Sequence, residues 1–418
     1  MSSYDLFFIL GFLGIWSAQL YWNLLSIGSV AVYFRNRNNK ILEGINQFTE
    51  WPTVTILIPA YNEAAVIANT LSAMEQLDYD QKKLQIIVVN DGSTDATKNI
   101  AEGFANQSRT IEVYNIPKDM GGKGKSRTLN NGLVKATGEI IVVYDADNTP
   151  ESNCLKRLVY TLIKSPELVA VNGKVRTRNW NQSWLTRFIA IEFIFTQWVF
   201  QAGRWYWLNL STLMGTNYAI WRNVLDTLGG FDENSLVDDT EMSLRIFAGE
   251  KKIRWVPYAV TWEQEPENFN VWLKQRTRWS QGNLYVLQKY LPVGLARPKS
   301  VGMEIFHSVF SYIIFLPALV FSHVIFYGGL LGLLNTSVKG PYSILWAMSF
   351  ILFVLQSFFT LRVERAPSIL YFYAVISYVT YIQLFIIVAL RAVYLTIKDN
   401  LTGRGMNWEK TSRSDEND

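Results

Sequence analysis

The chain is poor in the residues that most often carry chemistry. Its 418 residues include one cysteine, Cys154, and two histidines, His307 and His323. A single thiol excludes a disulfide framework and a cysteine metal site. Both histidines fall in an apolar stretch, which argues against a histidine-based active site. Charged residues make up 18% of the chain, below the roughly 25% of soluble domains. With 49% hydrophobic residues, that shortage points to a membrane component. The net charge of +4 is too small to argue for nucleic acid, and no basic motif for it is present. No G-x-G-x-x-G follows the first strand pattern, so a dinucleotide site has no support. The run Gly121-Gly122-Lys123-Gly124-Lys125-Ser126 has the wrong glycine spacing and position for a P-loop. It still opens a helix, a favourable place for a diphosphate.

Long apolar runs, by contrast, are plentiful. Residues 6–34 are nearly uncharged and exceed the ~20 residues a bilayer span needs. Asp5 precedes them and Arg35, Arg37 and Lys40 follow. The positive-inside rule then puts the following domain in the cytoplasm. A cleaved signal peptide fits worse, because the apolar run is too long and its basic flank is on the wrong side. Residues 305–334, 344–361 and 369–397 could also span, with Arg362 and Arg365 in a cytoplasmic turn. The expected organisation is an anchor over 1–34, a cytoplasmic domain over 51–290, membrane segments over 291–397 and a polar tail over 398–418.

Between these runs, strand and helix patterns alternate. Strands are expected at 54–59, 85–89, 111–116 and 139–144, with helices over 63–74, after Thr94 and over 123–136. This order predicts an α/β domain built on a mostly parallel sheet. Ligands of such sheets bind beyond the carboxyl ends of the strands. Polar clusters fall there each time: Tyr61-Asn62-Glu63, Asn90-Asp91-Gly92 and Asp145-Ala146-Asp147. Residues two apart in an extended or turning backbone point the same way. Asp145 and Asp147 can therefore approach one cation together, leaving positions open for phosphate oxygens.

Further helices are expected over 184–207, 240–248 and 268–290. The first is aromatic and weakly charged, suited to lying along a membrane face. The second starts behind Asp238-Asp239, where a helix N-terminus favours a carboxylate.

These residues resemble family-2 glycosyltransferases of the GT-A fold. The resemblance rests on Pro59-Ala60-Tyr61-Asn62-Glu63, Asn90-Asp91-Gly92-Ser93, the turn from Lys125 to Asn130 and Asp145-Ala146-Asp147. Val237-Asp238-Asp239-Thr240-Glu241 stands where the family has its T-E-D segment, with Val and Asp replacing Thr and Glu. Gln275-Arg276-Thr277-Arg278-Trp279 matches the Q-x-x-R-W of membrane-embedded, processive members such as cellulose, hyaluronan and poly-N-acetylglucosamine synthases. The resemblance implies a cytoplasmic GT-A domain combined with α-helical transmembrane segments and amphipathic interface helices, in the cell membrane.

It also implies roles. Asp147 with Asp145 would hold Mg²⁺ or Mn²⁺ against a UDP-sugar diphosphate. Asp91 would bind uracil, Tyr61 and Glu63 would line the base and ribose pocket, and Lys125 would be the cation near the diphosphate. Gly215 would approach the donor sugar, and Asp238 would also contact substrate. Asp239 would be the general base. Gln275, Arg278 and Trp279 would meet the acceptor. Trp408, Thr411 and Arg413 loosely match a W-x-T-R gating loop that folds over the nucleotide. One base without a second nucleophile implies inversion. The expected product is a polysaccharide exported through the bilayer, with an accessory secretion subunit as a further partner. Tyr312, Tyr371, Tyr373, Tyr378, Tyr381 and Gln383 could line its path. Transfer to a membrane lipid such as diacylglycerol, and a catalytically idle nucleotide-binding subunit, stay open as alternatives. Retention of the aspartates and the whole Q-x-x-R-W argues against the second.

Overall fold

Strand β1 (Val54–Ala60) is buried at every residue except Pro59. A strand apolar on both faces belongs inside a sheet covered by helices on each side. The computed structural model, which describes residues 3–36, 40–296, 299–311, 316–333, 337–338 and 340–402, places β1 there. With β2 (Leu84–Asn90), β3 (Ile111–Asn115), β4 (Ile140–Val143), β5 (Thr149–Pro150), β6 (Leu168–Thr177), β7 (Tyr218–Trp221) and β8 (Lys252–Glu263) it forms one sheet of order β3-β2-β1-β4-β7-β6-β8-β5. Strands β1 to β4 are parallel. Strand β7 runs antiparallel to both β4 and β6, and β8 pairs parallel with β6 and antiparallel with β5.

The helices in chain order are α1 (Ser3–Asn36), α2 (Lys40–Gln47), α3 (Ile67–Glu75), α4 (Thr97–Ala105), α5 (Lys125–Lys135), α6 (Cys154–Ile163), α7 (Trp184–Phe195) and α8 (Gly203–Leu208). They continue as α9 (Arg222–Thr227), α10 (Asp238–Ala248), α11 (Phe269–Ala296), α12 (Ser300–Val309), α13 (Leu316–Leu330), α14 (Tyr342–Val363), α15 (Ser368–Ser377) and α16 (Tyr381–Thr402). Successive strand side chains point to opposite faces, and two cores result. Ile56, Ile58, Ile86, Val88, Ile140 and Val142 pack with Leu71 of α3 and Leu155 and Leu158 of α6. Leu57, Ile87, Val89, Ile141 and Val143 pack with Leu129 of α5, Met242 of α10 and Val286 of α11.

The expected helix over 63–74 starts only at Ile67. The Glu63 and Ala64 amides are drawn away to Thr97 Oγ1 (2.7 Å) and Asp95 Oδ2 (3.1 Å) on the neighbouring loop. The 184–207 pattern is one helical stretch whose middle, Thr196–Ala202, is π-helical. Helix α7 packs against β6 on one side and α14 and α15 on the other.

Among the described residues, two helical stretches, Asp5–Asn36 and Tyr381–Thr402, are long and apolar enough to cross a membrane. The expected single span over 369–397 is not one helix. It breaks at residues 378–380, where Val379 and Thr380 donate to the carbonyls three residues back. The break lets α15 pack on α7 and α14 while α16 packs on α11. The 305–334 expectation falls partly outside the described residues, and α12 and α13 cover much of the rest.

One carboxylate ties the apolar helices to the sheet. Glu364, in the turn after α14, is buried. It accepts Lys174 Nζ at 2.8 and 3.0 Å, Trp198 Nε1 at 2.6 Å and the Arg176 guanidinium. Two cations and an indole from β6 and the π-helical turn thus meet one buried charge.

Candidate active site

Parallel pairing sets the site's first half. Strands β1 and β2 end together at the pair Ala60 and Asn90, β4 ends three residues earlier with Val143 opposite Leu57, and β1 lies between the other two. The loops beyond are knitted to one another. Asn62, at φ 55°, donates its amide to Ser93 Oγ (2.9 Å) and accepts from the Thr94 amide (2.7 Å). Antiparallel pairing sets Val143 opposite Tyr218, so residues 215–217 enter β7 at the edge where 145–147 leave β4. The Asp145 amide donates to Thr216 Oγ1 at 3.0 Å, and Thr216 Oγ1 donates to Asn148 Oδ1 at 3.1 Å. Asn148 in turn donates to Asp147 Oδ1 at 3.3 Å.

A cavity of about 390 Å³ lies over this edge. Tyr61, Glu63 and Asp91 line its β1–β2 side, and Asp145, Asp147, Lys125 and Gly215 its middle. Asp238 and Asp239 face it from α10, and Gln275, Arg278 and Trp279 from α11. The twelve expected donor, metal, base and acceptor residues that fall within the described chain therefore line one cavity. Trp408, Thr411 and Arg413 lie outside the described residues.

Backbone shape matters at two glycines. Gly121 passes so close to the Asp91 carbonyl that a Cβ would stand 2.2 Å from it, and Gly122, at φ 70°, faces the Tyr61 ring. The Gly122 amide donates to the Asp91 carbonyl at 3.0 Å. Burial pushes the Asp91 carboxyl up, while Thr128 and the Gly122 and Lys123 amides pull it back.

The electrostatics centre on Lys125. Its Nζ lies 2.5 Å from Asp145 Oδ1 and donates to the Gly215 carbonyl at 2.7 Å. Burial alone would lower its pKa, but Asp145, Asp238 and Asp239 hold it above the ordinary lysine value. Asp239 lies in the first turn of α10 and accepts the Thr240 amide at 2.7 Å on Oδ1. Burial and the neighbouring Asp238 charge push its carboxyl up to about 7. Asp238 is also raised, by burial first and then by Asp145 against the pull of Lys125. Its Oδ2 is buried without a hydrogen-bond partner.

Among the cavity residues that were not anticipated, three carry functional groups of note. Glu192 on α7 and Gln201 in the π-helical turn line the side nearest the apolar helices, and Glu263 ends β8. A lone acid in the apolar 184–207 stretch was the available signal for Glu192. Burial, with Glu265 and Asp147 adding repulsion, raises the Glu263 carboxyl well above the usual range. Two residues of the expected sugar path serve helix contacts: Tyr373 accepts from Arg187 Nη1 at 2.7 Å, and Tyr381 is buried and donates to Glu192. Tyr312 lies outside the described residues.

Among the described residues, no three or more His, Cys, Asp or Glu side chains form a metal-binding group. The donor set fits a different kind of ion. Two carboxylates, Asp145 and the buried Asp147, suit a hard cation that keeps waters and shares substrate phosphate oxygens.

Residues 52–282 match the family described as "Glycosyltransferase like family 2". The chain is 39% identical over 402 residues, 96% of each chain, to a probable glycosyltransferase of Bacillus subtilis, YdaM. It is 27% identical to the poly-beta-1,6-N-acetyl-D-glucosamine synthase of Staphylococcus epidermidis, over 64% of this chain and 63% of that one. It is 28% identical to the beta-monoglucosyldiacylglycerol synthase of a Nostoc species, over 66% and 60%. Among solved structures it is similar to a mannosyltransferase of Pyrobaculum calidifontis in complex with GDP-Man and Mn²⁺. That likeness has a TM-score of 0.54 and 22% identity, covers 85% of this chain and 99% of that one, and shows the GT-A-like fold. With the family match spanning the sheet, the cavity and the Q-x-x-R-W helix, the chain belongs to glycosyltransferase-like family 2.

Proposed function

We propose that the chain is an inverting β-glycosyltransferase that extends a polysaccharide from UDP-N-acetylglucosamine or UDP-glucose at the inner face of the cell membrane. One observation carries this reading. Asp239, a carboxyl raised to about 7, faces the cavity that Asp91, Asp145 and Asp147 also line. A general base works best with its pKa near the operating pH. Asp91, Tyr61 and Glu63 bind the nucleoside. Asp147 with Asp145 would hold a divalent cation such as Mg²⁺ or Mn²⁺, which would supply positive charge to the leaving diphosphate. Lys125 adds a fixed cation there, and Asp238 holds Lys125 in place through its charge. Asp239 takes the acceptor hydroxyl proton as that oxygen attacks the sugar and the bond to the diphosphate breaks. A single displacement inverts an α-linked donor to a β-linkage. Arg278, Gln275 and Trp279 meet the acceptor.

The two helical stretches long and apolar enough to cross a membrane support a membrane placement; to this the proposal adds a multi-pass topology, export of the growing chain and an accessory secretion subunit as partner. A second reading, transfer to a membrane lipid such as diacylglycerol, is favoured by the likeness to the Nostoc lipid-modifying enzyme. Incubating the purified full chain with each labelled UDP-sugar, with and without diacylglycerol, separates the two. Linkage-specific digestion and sizing should reveal a β-linked polymer. A single sugar on lipid would replace the first reading by the second, and failure to transfer from any UDP-sugar would overturn both.

A further inference from the structure

Arg276 does not line the cavity, yet it touches two residues that do. It is 2% exposed and sits on α11 between Gln275 and Trp279. Its Nη1 donates to Gln275 Oε1 at 2.8 Å. Its guanidinium carbon lies 4.1 Å from the centroid of the Trp279 ring. Its Nη2 donates to Glu192 Oε2 at 3.0 Å. Glu192 also accepts from the Tyr381 hydroxyl, and that hydroxyl accepts from Trp272 Nε1 at 3.0 Å.

The chemistry of the guanidinium fixes what Gln275 can offer. Arginine has five N–H donors and no acceptor, whereas a glutamine amide has one oxygen and one NH₂. The oxygen must therefore face Arg276. The NH₂ is left for the cavity, which Gln275 also lines. Gln275 thus presents donors, which suit the lone pairs of sugar hydroxyl or ring oxygens. The same planar cation lies close to the Trp279 ring, as cation–π contacts require. Lysine, a point charge on a flexible stem, cannot serve the amide, the carboxylate and the ring together.

We propose that Arg276 is a positioning residue for the acceptor: it sets the Gln275 amide with its NH₂ toward the cavity and steadies the Trp279 ring as a sugar platform. This rests on the reading that Gln275 and Trp279 meet the acceptor. Glu192 and Tyr381 hold the far side of the guanidinium, so the start of α16 takes part in the same arrangement.

Two variants test it in the full-length protein, with a short β-linked N-acetylglucosamine oligomer as acceptor probe. Arg276→Lys keeps the charge but loses the fork, and Gln275→Glu keeps the bond to Arg276 while turning the cavity-facing donor into an acceptor. Each should raise the acceptor KM about tenfold, with the donor KM moving less than about twofold. Trp279→Ala serves as the control on the underlying reading. An unchanged acceptor KM in Trp279→Ala would overturn the acceptor assignment itself. A raised KM there with unchanged values in both other variants would overturn the proposal alone. A cryo-EM map of Arg276→Met provides a readout independent of turnover. Displacement of the Gln275 amide or the Trp279 ring is expected, and both in their present places would overturn the proposal.

Discussion

The Lys125 ammonium and the Asp145 carboxylate are 2.5 Å apart, although their elements meet only through the fold. Helix α5 brings the lysine, β4 the aspartate, and the Gly215 carbonyl accepts a second bond from the same nitrogen. Losing this cation should weaken the hold on a leaving diphosphate. Lys125→Met is expected to raise the donor KM and lower kcat, together costing at least about 10²-fold in kcat/KM, the scale of one lost electrostatic donor. Steady-state kinetics on the purified variant would check it, and a loss below tenfold would remove Lys125 from the diphosphate site.

Asp147→Asn should abolish turnover and weaken UDP binding at least tenfold in Mg²⁺ or Mn²⁺. In EDTA the parent and the variant should bind alike. Calorimetric titration under both conditions reads the difference. Equal affinity with metal present would end the assignment of Asp147 as a metal ligand.

Asp239→Asn keeps shape and hydrogen bonding but cannot accept a proton at neutral pH. Donor binding should survive while transfer falls by about 10²-fold or more, the scale of a lost general base. A larger loss in Asp238→Asn than in Asp239→Asn would move the base to the neighbouring residue.

The pH dependence follows from the same group. A carboxyl raised to about 7 is protonated and idle as a base below that pH. Transfer should rise with pH through about 7 and level off above it, and the rising limb should disappear in Asp239→Asn. A flat profile in the parent between pH 5.5 and 8.5, on the order of ±1.5 units about that value, would contradict a base of raised pKa.

Glu364→Gln removes a buried negative charge and strands Lys174 and Arg176. Breaking a buried ion pair from one side costs about 3–5 kcal/mol. A clear fall in the unfolding temperature in detergent is expected, far larger than for Glu102→Gln, whose pair with Lys98 is half exposed. Similar shifts for the two would show that the Glu364 cluster adds nothing.

Much of this site is legible in the sequence because its residues follow directly on continuous apolar strands. Asp91 and Asp145 each stand just beyond such a run, so the sheet's edge could be placed before the structure was known. The second half of the sheet is harder to read. Strand β6 begins on the short apolar run Leu168–Val171 but continues through buried Asn172, Lys174 and Thr177, so the apolar signal covers only its first half. In β8, Pro257 lies where the pairing with β6 slips by several residues, as proline in a sheet tends to sit at irregularities. The break after α15 carries no glycine or proline, and Tyr378, Val379 and Thr380 continue an apolar pattern. Only packing against different neighbours reveals it. Glu192, Arg276 and Glu364 depend on partners distant in sequence, and spacing along one chain cannot show such pairs.

The Glu364 cluster also bears on how the chain comes to be assembled. Lys174, Arg176 and Trp198 all precede Glu364, so a ribosome delivers the donors first and their acceptor more than 160 residues later. Until β6 is in its sheet, Glu364 has no paired partners, and an unpaired carboxylate is expensive to withdraw from water. The turn after α14 can therefore settle only onto a catalytic domain that is already folded. Misfolding of that domain would leave a charged residue exposed at the head of an apolar hairpin, marking the chain as unfinished.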